Sequence, residues 1–541
     1  MSQPAEVAAF AYPPAPQRLS QLLQGVPVHA LQPTPGADPL IYDVVFDSRM
    51  VTPGALFVAL RGGYADGHAY LQQAFARGAV ATLIEADAAH VADPPPGCTH
   101  VLTTDTRAQL ATIASQWFGH PSRLIDLVGV TGTDGKTSSS YLIARMLNDA
   151  GVLTGVIGTV DIRLADEIIA SDTRQTTPES LDVQRHLALM VSRGAQVVVL
   201  ETTSHALETH RVDGCAYDVA VVTNVTHEHL DFHGTVENYR RAKGGLLRRT
   251  AAHARHGGRG IVVLNGDDPG SVAIEADAGD CQRLHYSMQP ITSVGADIRA
   301  LDIVSTPEGS TCRLVTPAGE ADLRINLPGR FNVANALAAV GAGTALGLPL
   351  DAIVRGIASL THVPGRMQRV DAGQPFAVIV DYAHTPVSIE AILREARRLT
   401  TGRVLIVSGS AGERDIEKRG LQGAVCVTHA DYAVFTSEDP RFEDPDAIVE
   451  AIAQGAEQAG GRRGVNFACI EDRTAALLHV FTRAAPGDVV ILAGKGHERS
   501  IIYGDQKRPW DEGQVANDLL HTMQFDQSAA TATSRKVGDQ S

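Results

Sequence analysis

Several runs of consecutive apolar residues, rich in β-branched side chains, each end at a glycine or a polar loop, and helix-like stretches lie between them. Strands of a parallel sheet are buried on both faces, so they read as continuous apolar runs. Strand, polar loop and helix in repeated succession predict an α/β protein with doubly wound sheets. The predicted strands are LIDLVGV, VVVLE (197–201), DVAVVTN (218–224), FAVIVDYAH, RVLIVSGSAG, YAVFTSEDP and DVVILAGKGHE.

The chain of 541 residues is long enough for about three domains. Residues 19–122 mix short apolar runs with glycine-rich turns and predict a small N-terminal α/β domain. Residues 123–362 are predicted to form a central doubly wound domain, and residues 363–526 a C-terminal Rossmann-like domain. We expect residues 1–18 to be flexible, and the small polar residues 527–541 to form a disordered tail.

Charge and cysteine content exclude several classes of protein. A formal net charge of -15 argues against non-specific binding to nucleic acid or to anionic membranes, because both require a positive surface. The six cysteines are widely spaced and form no CxxC pair, which is typical of thiols in a reducing compartment. The N-terminus lacks the features of a signal peptide, and no apolar run is long enough to span a membrane. We therefore expect a cytoplasmic protein.

The segment TGTDGKT lies between the predicted strand LIDLVGV and a predicted helix. Glycines allow backbone amides to surround phosphate oxygens, and the following helix adds a favourable dipole. In such a loop Lys136 balances phosphate charge and Thr137 ligates Mg²⁺. The strict G-x4-G-K-[ST] pattern is not met, because Val130 occupies the first glycine position. The remaining G-T-x-G-K-[ST] form still predicts a nucleoside triphosphate site.

Nine segments in fixed order resemble the Mur ligase family, and within it the UDP-N-acetylmuramoyl-tripeptide synthetases. The likeness runs from about residue 20 to 525. It implies that the N-terminal domain binds UDP, the central domain binds ATP and the C-terminal domain binds an amino acid. It also implies an ATP-dependent ligase of peptidoglycan synthesis, which adds a diamino acid to UDP-N-acetylmuramoyl-L-alanyl-D-glutamate through an acyl phosphate. The segments are DSRMVTPGALFVALRGGYADGH (47–68), GVTGTDGKT (129–137), ETTSHAL (201–207), NVTHEHLDFHG (224–234), LPGRFNVANALAA (327–339), VPGRM (363–367), VDYAHTP (380–386), TSEDPR (436–441) and AGKGHE (493–498).

The resemblance assigns metal and ATP residues. Lys243 matches the family's carbamylated lysine, whose anionic oxygens suit Mg²⁺. Together with Thr137, Glu201 and His229 it forms the predicted metal site, and Lys136, Lys243 and His229 are the predicted catalytic residues. The predicted ATP-binding residues are Gly132, Thr133, Asp134, Gly135, Lys136, Thr137, Ser138, Asn332, Asn335, Arg366 and Asp381.

The resemblance also assigns residues to the other two substrates. An arginine suits a substrate carboxylate because its guanidinium donates two parallel hydrogen bonds. The predicted contacts to the UDP-muramoyl-dipeptide are Ser48, Thr176, Thr177, Thr203 and Arg211. The predicted contacts to the diamino acid are Arg414, Asp439, Arg441, Gly494 and Glu498.

Departures from the family pattern leave the amino-acid substrate open. A second carboxylate on meso-diaminopimelate requires a cation, and Arg441 favours that substrate. However, EDPR replaces the DNPR typical of diaminopimelate enzymes, and the extra negative charge of Asp439 suits an extra substrate cation. GERD resembles lysine-adding members, so L-lysine and L-ornithine remain alternatives. Asp134 replaces the usual asparagine of the phosphate loop, and we expect this to alter nucleotide affinity.

Other interpretations are less well supported. A folylpolyglutamate- or cyanophycin-type ligase shares the central motifs, but the N-terminal DSR–PGALFVA–DGH module is not expected in the folate branch. A P-loop module that binds nucleotide without forming a bond is a third possibility. His227, His229 and His233 resemble a zinc cluster, but they lack an evident fourth ligand, so we interpret His227 and His233 as loop or structural residues. We expect a monomer.

Overall fold

The protein is described by a computed structural model that covers residues 11–33, 37–62, 65–88, 93–170, 175–226, 228–289 and 295–523. The chain divides into two compact units. The first comprises Met1–Arg299, Val315–Gly319 and Ala334–Ile357, and the second the remaining segments. Most of the predicted flexible N-terminus, the predicted tail 527–541 and His227 lie outside the described residues. The three-domain division remains a prediction.

The N-terminal part of the first unit is built on a five-stranded sheet. Its order is β2-β7-β6-β5-β4, in which β4 to β7 run parallel and β2 runs antiparallel to β7. A separate pairing joins β1 to β3. The strands are β1 (Gln17–Arg18), β2 (Ala30–Gln32), β3 (Leu40–Ile41), β4 (Asp43–Val45), β5 (Ala55–Val58), β6 (Ala81–Glu85) and β7 (Thr99–Thr103), and the helices are α1 (Leu19–Leu22), α2 (Leu71–Ala76) and α3 (Thr106–Trp117).

The central sheet follows in the order β11-β10-β9-β12-β8-β13-β14-β15. Six of its strands run parallel to one another: β9, β12, β8, β13, β14 and β15. The apolar side chains of this sheet form one buried core with those of the flanking helices. The strands are β8 (Asp126–Thr131), β9 (Thr154–Ile157), β10 (Ile162–Leu164), β11 (Glu167–Ala170), β12 (Val197–Glu201), β13 (Val219–Val222), β14 (Ile261–Asn265) and β15 (Gln282–Ser287). The helices are α4 (Lys136–Asp149), α5 (Ser180–Ser192), α6 (Ser204–Glu208), α7 (Leu230–His233), α8 (Val236–Ala254) and α9 (Pro269–Ala273).

Residues 298–359 contain three successive neighbouring strands and two helices, and they are divided between the two units. The strands alternate buried and exposed residues over part of their length. The sequence analysis did not predict them. They are β16 (Ile298–Thr306), β17 (Gly309–Thr316) and β18 (Gly319–Ile325), followed by helices α10 (Arg330–Ala345) and α11 (Leu350–Ser359).

The second unit has a six-stranded sheet in the order β19-β20-β24-β21-β22-β23. Strands β20 to β24 pair in parallel, and apolar clusters cover both faces. The strands are β19 (Gln368–Val370), β20 (Ala377–Asp381), β21 (Val404–Ser408), β22 (Tyr432–Phe435), β23 (Phe467–Cys469) and β24 (Val489–Ala493), with a hairpin of β25 (Ser500–Tyr503) and β26 (Gln506–Pro509). The helices are α12 (Pro386–Leu399), α13 (Glu417–His429), α14 (Pro445–Gln458), α15 (Arg473–Arg483) and α16 (Glu512–Thr522).

The predicted α/β class is confirmed, and each predicted strand of the central and C-terminal blocks is present. Because strands β8, β12 and β13 are adjacent and parallel, the loops that follow them meet at one edge of the central sheet. Among the described residues, no helix combines the length and the apolar character required to cross a bilayer.

Candidate active site

The phosphate loop connects β8 to α4, as predicted. Gly132 and Gly135 have φ values of 155° and 84°, a region that favours glycine. A Cβ on Gly132 would overlap with the hydroxyl of Thr223, so the loop also needs glycine for space. The Thr133 amide donates to the Asn224 carbonyl at 2.8 Å, which fixes the loop against the chain that follows β13. The loop therefore presents the amino end of a long helix to a phosphate group.

Two lysine side chains converge on a single carbonyl of this loop. Lys136 Nζ donates to the carbonyls of Gly132 at 2.9 Å and Thr133 at 2.8 Å. Lys243 Nζ, from the middle of α8, donates to the same Gly132 carbonyl at 2.7 Å. Lys243 is 2% exposed, so it is not a solvated helix lysine. Burial, reinforced by the charge of Lys136, holds the pKa of Lys243 well below its usual range and favours the uncharged amine.

Glu201, at the end of β12, lies beside the phosphate loop and is fully buried. Its Oε2 accepts hydrogen bonds from the hydroxyls of Thr137 at 3.0 Å and Thr159 at 2.8 Å. Its Oε1 accepts from the Thr159 amide at 3.1 Å. A buried carboxylate held by hydroxyl and amide groups, next to the loop threonine, offers the hard oxygen ligands that Mg²⁺ prefers. The pair therefore fits the predicted metal.

The predicted histidine ligand lies in an aromatic cluster. His229 immediately precedes α7 as its N-cap, with φ 53°, and its ring packs edge-on against His205 with centroids 4.6 Å apart. Burial and the neighbouring His229 lower the pKa of His205 to about 4. His233 pairs with the Ser204 hydroxyl at 3.0 Å, in line with its interpretation as a structural residue. No group of three or more His, Cys, Asp or Glu side chains in the described ranges is placed to hold a metal, so the ligand set remains a prediction.

Three of the residues predicted to bind the muramoyl dipeptide form a connected group next to Glu201. The Thr177 hydroxyl donates to the Glu201 carbonyl at 2.7 Å and accepts from the Thr203 amide at 3.1 Å. Arg211 donates to the Thr177 carbonyl at 3.2 Å, and its Nε lies 3.3 Å from Glu179. The hydroxyl oxygen of a fourth predicted residue, Thr176, lies 3.1 Å from that of Thr159.

The fifth residue, Ser48, lies between β4 and β5 in a 3-10 turn, Ser48–Met50, where its hydroxyl donates to Gln73 at 2.7 Å.

The predicted ATP residues outside the loop have identifiable positions. A Cβ on Gly135 would overlap with Asn335 Oδ1, which places the Asn335 side chain directly against the phosphate loop. Asn332, on the same helix, donates to the Pro328 carbonyl at 2.8 Å. In the second unit, Asp381 accepts from the amides of Met367 and Ala383, each at 2.8 Å. The guanidinium of Arg366 lies 5.1 Å from the centre of the Tyr382 ring.

Strand ends of the second unit bring together four of the five residues predicted to bind the amino acid. Asp439 and Glu498 both pair with Lys495 Nζ, at 2.8 and 2.6 Å. Lys495 is completely buried, and sequence reasoning assigned it no role although it stands inside the AGKGHE segment. The carboxylate of Asp439 thus has a cationic partner within the protein, which it shares with Glu498. One ammonium balances only one of the two carboxylates, so the pairing does not decide between the alternative diamino acids.

Two buried polar atoms of the TSEDPR segment lack a hydrogen-bond partner within the part of the chain that the structure describes. They are Oε2 of Glu438 and Nε of Arg441. Burial raises the pKa of Glu438 to about 7, although Lys495 and Arg473 lie near it. Glu438 also was assigned no role in the sequence analysis. A carboxyl group and a guanidinium, three residues apart and each with unused hydrogen-bonding capacity, suit a ligand that carries both an amine and a carboxylate.

Glycines bring the AGKGHE segment into close contact with its neighbours. A Cβ on Gly494 would lie 2.9 Å from Glu438 Oε2. Gly365, in the VPGRM segment, has φ 63°, and a Cβ there would overlap with main-chain atoms of Gly496 and His497. Arg414, the fifth predicted contact, is exposed and follows Glu413, whose amide donates to Glu443.

Together, a glycine loop between a parallel strand and a helix, an acid at the end of the adjacent strand and two converging lysines define a P-loop-type nucleotide-binding α/β protein. Three family models match the chain: "Mur ligase family, catalytic domain" over residues 40–117, "Mur ligase middle domain" over 130–343, and "Mur ligase, glutamate ligase domain" over 365–496. The chain belongs to the Mur ligase family.

Similar proteins cover nearly the whole chain. A UDP-N-acetylmuramyl-tripeptide synthetase of Roseiflexus sp. is 46% identical over 512 residues, which is 93% of this chain and 98% of that protein. A UDP-N-acetylmuramoyl-L-alanyl-D-glutamate–2,6-diaminopimelate ligase of Bacillus licheniformis is 39% identical, with the same shares covered. A solved structure of a ligase with that second name is 28% identical, with a TM-score of 0.65, and the match covers 95% of this chain and all of that one.

Proposed function

We propose that the protein uses ATP to join a diamino acid to UDP-N-acetylmuramoyl-L-alanyl-D-glutamate during peptidoglycan synthesis. The observation that carries the proposal is the contact between Thr137 and Glu201 beside the phosphate loop. It occurs in a chain that aligns over 93% of its length with a UDP-N-acetylmuramyl-tripeptide synthetase. The contact would offer a place for a nucleotide–metal pair, and the family indicates the reaction class.

The chemistry explains why the site needs these residue types. A carboxylate is a poor electrophile, so the substrate acid is first phosphorylated to an acyl phosphate, which the amine of the incoming diamino acid then attacks. Backbone amides at the start of α4 and the ammonium of Lys136 stabilise the negative charge of the transferring phosphoryl group. Bound Mg²⁺, held by Thr137 and Glu201 with His229 as a further proposed ligand, would supply additional positive charge.

Lys243 is proposed to act as a carbamate. Only an uncharged amine adds to carbon dioxide, and the lowered pKa of Lys243 favours that form. Its position beside Gly132 would bring the resulting anionic oxygens to the phosphate loop, where a second Mg²⁺ can use them. This supports the resemblance-based assignment with a physical reason that the sequence alone does not contain.

Meso-diaminopimelate is the proposed amino acid. The Nε of Arg441, a buried atom without a hydrogen-bond partner among the described residues, can bind its second carboxylate, and Glu438 and Glu498 offer acids for its amines. Lys495 gives Asp439 a partner within the protein but is shared with Glu498, so L-lysine and L-ornithine remain the alternative substrates. Thr176, Thr177, Thr203 and Arg211 are proposed to hold the dipeptide, and Ser48 the nucleotide sugar side. We further propose that the protein works as a monomer in the cytoplasm.

The decisive experiment combines purified protein, ATP, Mg²⁺ and the UDP-muramoyl-dipeptide with diaminopimelate, lysine or ornithine in separate reactions. Phosphate release and the product mass are measured together. We expect both to require diaminopimelate. Product with lysine or ornithine only would refute the proposed amino acid. Phosphate release without any product, under all conditions, would refute the ligase and favour a P-loop binding module.

A further inference from the structure

A buried ion pair lies behind the proposed amino-acid site. Arg473 begins α15, and Glu512 begins α16. Their side chains are 1% and 0% exposed. The guanidinium binds the carboxylate through two nitrogens, with Nε at 2.9 Å from Oε2 and Nη2 at 2.7 Å from Oε1. Trp510 Nε1 also donates to Oε2 at 2.6 Å, so the orientation of the carboxylate is fixed from two sides.

The same guanidinium holds two main-chain carbonyls. Nη1 donates to the Ser437 carbonyl at 3.1 Å, and Nη2 donates to the Ala493 carbonyl at 2.8 Å. Ser437 immediately precedes Glu438–Arg441, and Ala493 immediately precedes Gly494–Glu498. These two segments carry every proposed amino-acid contact except Arg414.

The two segments follow strands that are not neighbours. β22 and β24 are separated by β21, so no ladder of backbone hydrogen bonds connects them directly. Neighbouring strands lie about 4.8 Å apart, and β22 and β24 are therefore roughly 10 Å apart within the sheet. A single arginine spans this interval at the carboxyl ends of the strands. The contact between Asp439 and Lys495 is a second connection between the same segments.

We propose that Arg473, oriented by Glu512, is a positioning residue that sets the distance between the two amino-acid-binding segments. The inference rests on the proposed function, because it assigns the amino acid to these segments. The guanidinium is suited to this task because its donors point in fixed directions within one plane. A lysine ammonium at the same place is too compact to donate to the carboxylate and to both carbonyls at once, and it lacks the parallel N–H groups that bind a carboxylate through two nitrogens.

The test compares Arg473→Lys with the wild type in the ligase assay. KM is measured separately for the diamino acid, ATP and the UDP-muramoyl-dipeptide. The matched control is Arg403→Lys. Arg403 also binds a buried acid through Nε and Nη2, at 3.1 and 2.7 Å from Asp488, and donates to a main-chain carbonyl, but it lies at the opposite end of β21 and β24.

We expect Arg473→Lys to raise KM for the diamino acid by about ten-fold or more, because small displacements of binding groups have large effects on reactive geometry. KM for the other two substrates should stay within about two-fold, and Arg403→Lys should change none of the three. A merely structural role would lower the active fraction, and hence kcat, without selecting one substrate.

The outcomes separate this inference from the proposed function. If the wild type forms product and Arg473→Lys has an unchanged KM for the diamino acid, or an equal rise for all three substrates, the inference is refuted and the function stands. If the wild type forms no product, both fail. If Arg473→Lys does not fold, as judged by circular dichroism, Glu512→Gln carries the same test. It keeps the shape of the side chain but removes the charge that orients the guanidinium.

Discussion

Replacing Glu438 with glutamine removes a carboxyl group that burial keeps protonated in the folded protein to about pH 7. The group is surrounded by charges of both signs: Lys495, Arg473 and Lys418 lower its pKa, and Glu498 raises it, but burial is the largest effect. The ordinary value is 4.5, so the shift is about 2.5 pH units. At about 1.36 kcal/mol per unit, this corresponds to about 3 kcal/mol of folding free energy.

Glu438 makes the folded protein less stable as the pH rises. Because the pKa is higher in the folded state, the stabilising contribution of Glu438 is complete below about pH 4.5 and is lost as the pH rises through about 7. Between pH 5 and pH 8 the wild type should therefore lose about 2–3 kcal/mol more stability than Glu438→Gln. The glutamine amide introduces its own cost of burial, but that cost is the same at both pH values and cancels in the comparison.

The chain offers a convenient probe for this measurement. Trp117 and Trp510 are its two tryptophans, and Trp510 lies in the second unit with Glu438. In a Trp117→Phe background, tryptophan fluorescence during urea unfolding reports on that unit. Unfolding is measured at pH 5 and pH 8 with and without Glu438→Gln. If the wild type and Glu438→Gln lose the same stability between pH 5 and pH 8, burial does not raise the pKa of Glu438 and the reasoning is refuted.

Three further predictions concern the proposed site. Lys243→Ala should lower turnover by about two orders of magnitude or more, through lost stabilisation of the phosphoryl group, while ATP titration shows binding intact. Arg441→Ala should reduce kcat/KM for diaminopimelate by about ten- to hundred-fold, the value of a charged hydrogen bond, and affect use of lysine much less. Asp439→Asn should destabilise the second unit by about 1–3 kcal/mol in the urea assay, because buried Lys495 keeps only Glu498 as an anionic partner.

A different result would refute each of these three predictions. Near-wild-type turnover of Lys243→Ala would refute the carbamate, and Lys507→Ala, on exposed β26, controls for the loss of any lysine. Equal losses with diaminopimelate and lysine would mean that Arg441 does not bind the distal carboxylate. An unchanged unfolding midpoint for Asp439→Asn would mean that the amide replaces the carboxylate fully as a partner of Lys495.

The parallel strands were predictable because burial on both faces produces a signal that is local in sequence. VVVLE, for example, coincides with β12. The strands β16 to β18 were missed because one face carries polar residues, so they form no continuous apolar run. A signal was present: P-E-G and P-A-G separate the three strands, and Gly309 and Gly319 have φ values of 142° and 130°.

The site was predictable where its residues follow one another in a motif. The phosphate loop lies where TGTDGKT placed it, between β8 and α4. The pairing of Asp439 with Lys495 was not predictable, because 56 residues separate them and the contact depends on how the strand ends converge. The burial of Lys243 was equally invisible, since NYRRAKGGLL is rich in charged residues and α8 buries only one side.

The crowded backbone around Gly365 has a practical consequence for anyone who engineers this protein. A side chain is strained at any loop glycine with φ above zero, but at Gly373, Gly460 and Gly487 that strain is the whole cost, because the space around these three residues is open. At Gly365 even one methyl group would push against peptide atoms that cannot rotate away. Mutant libraries and consensus redesigns should leave this codon untouched, whatever residue a sequence profile recommends.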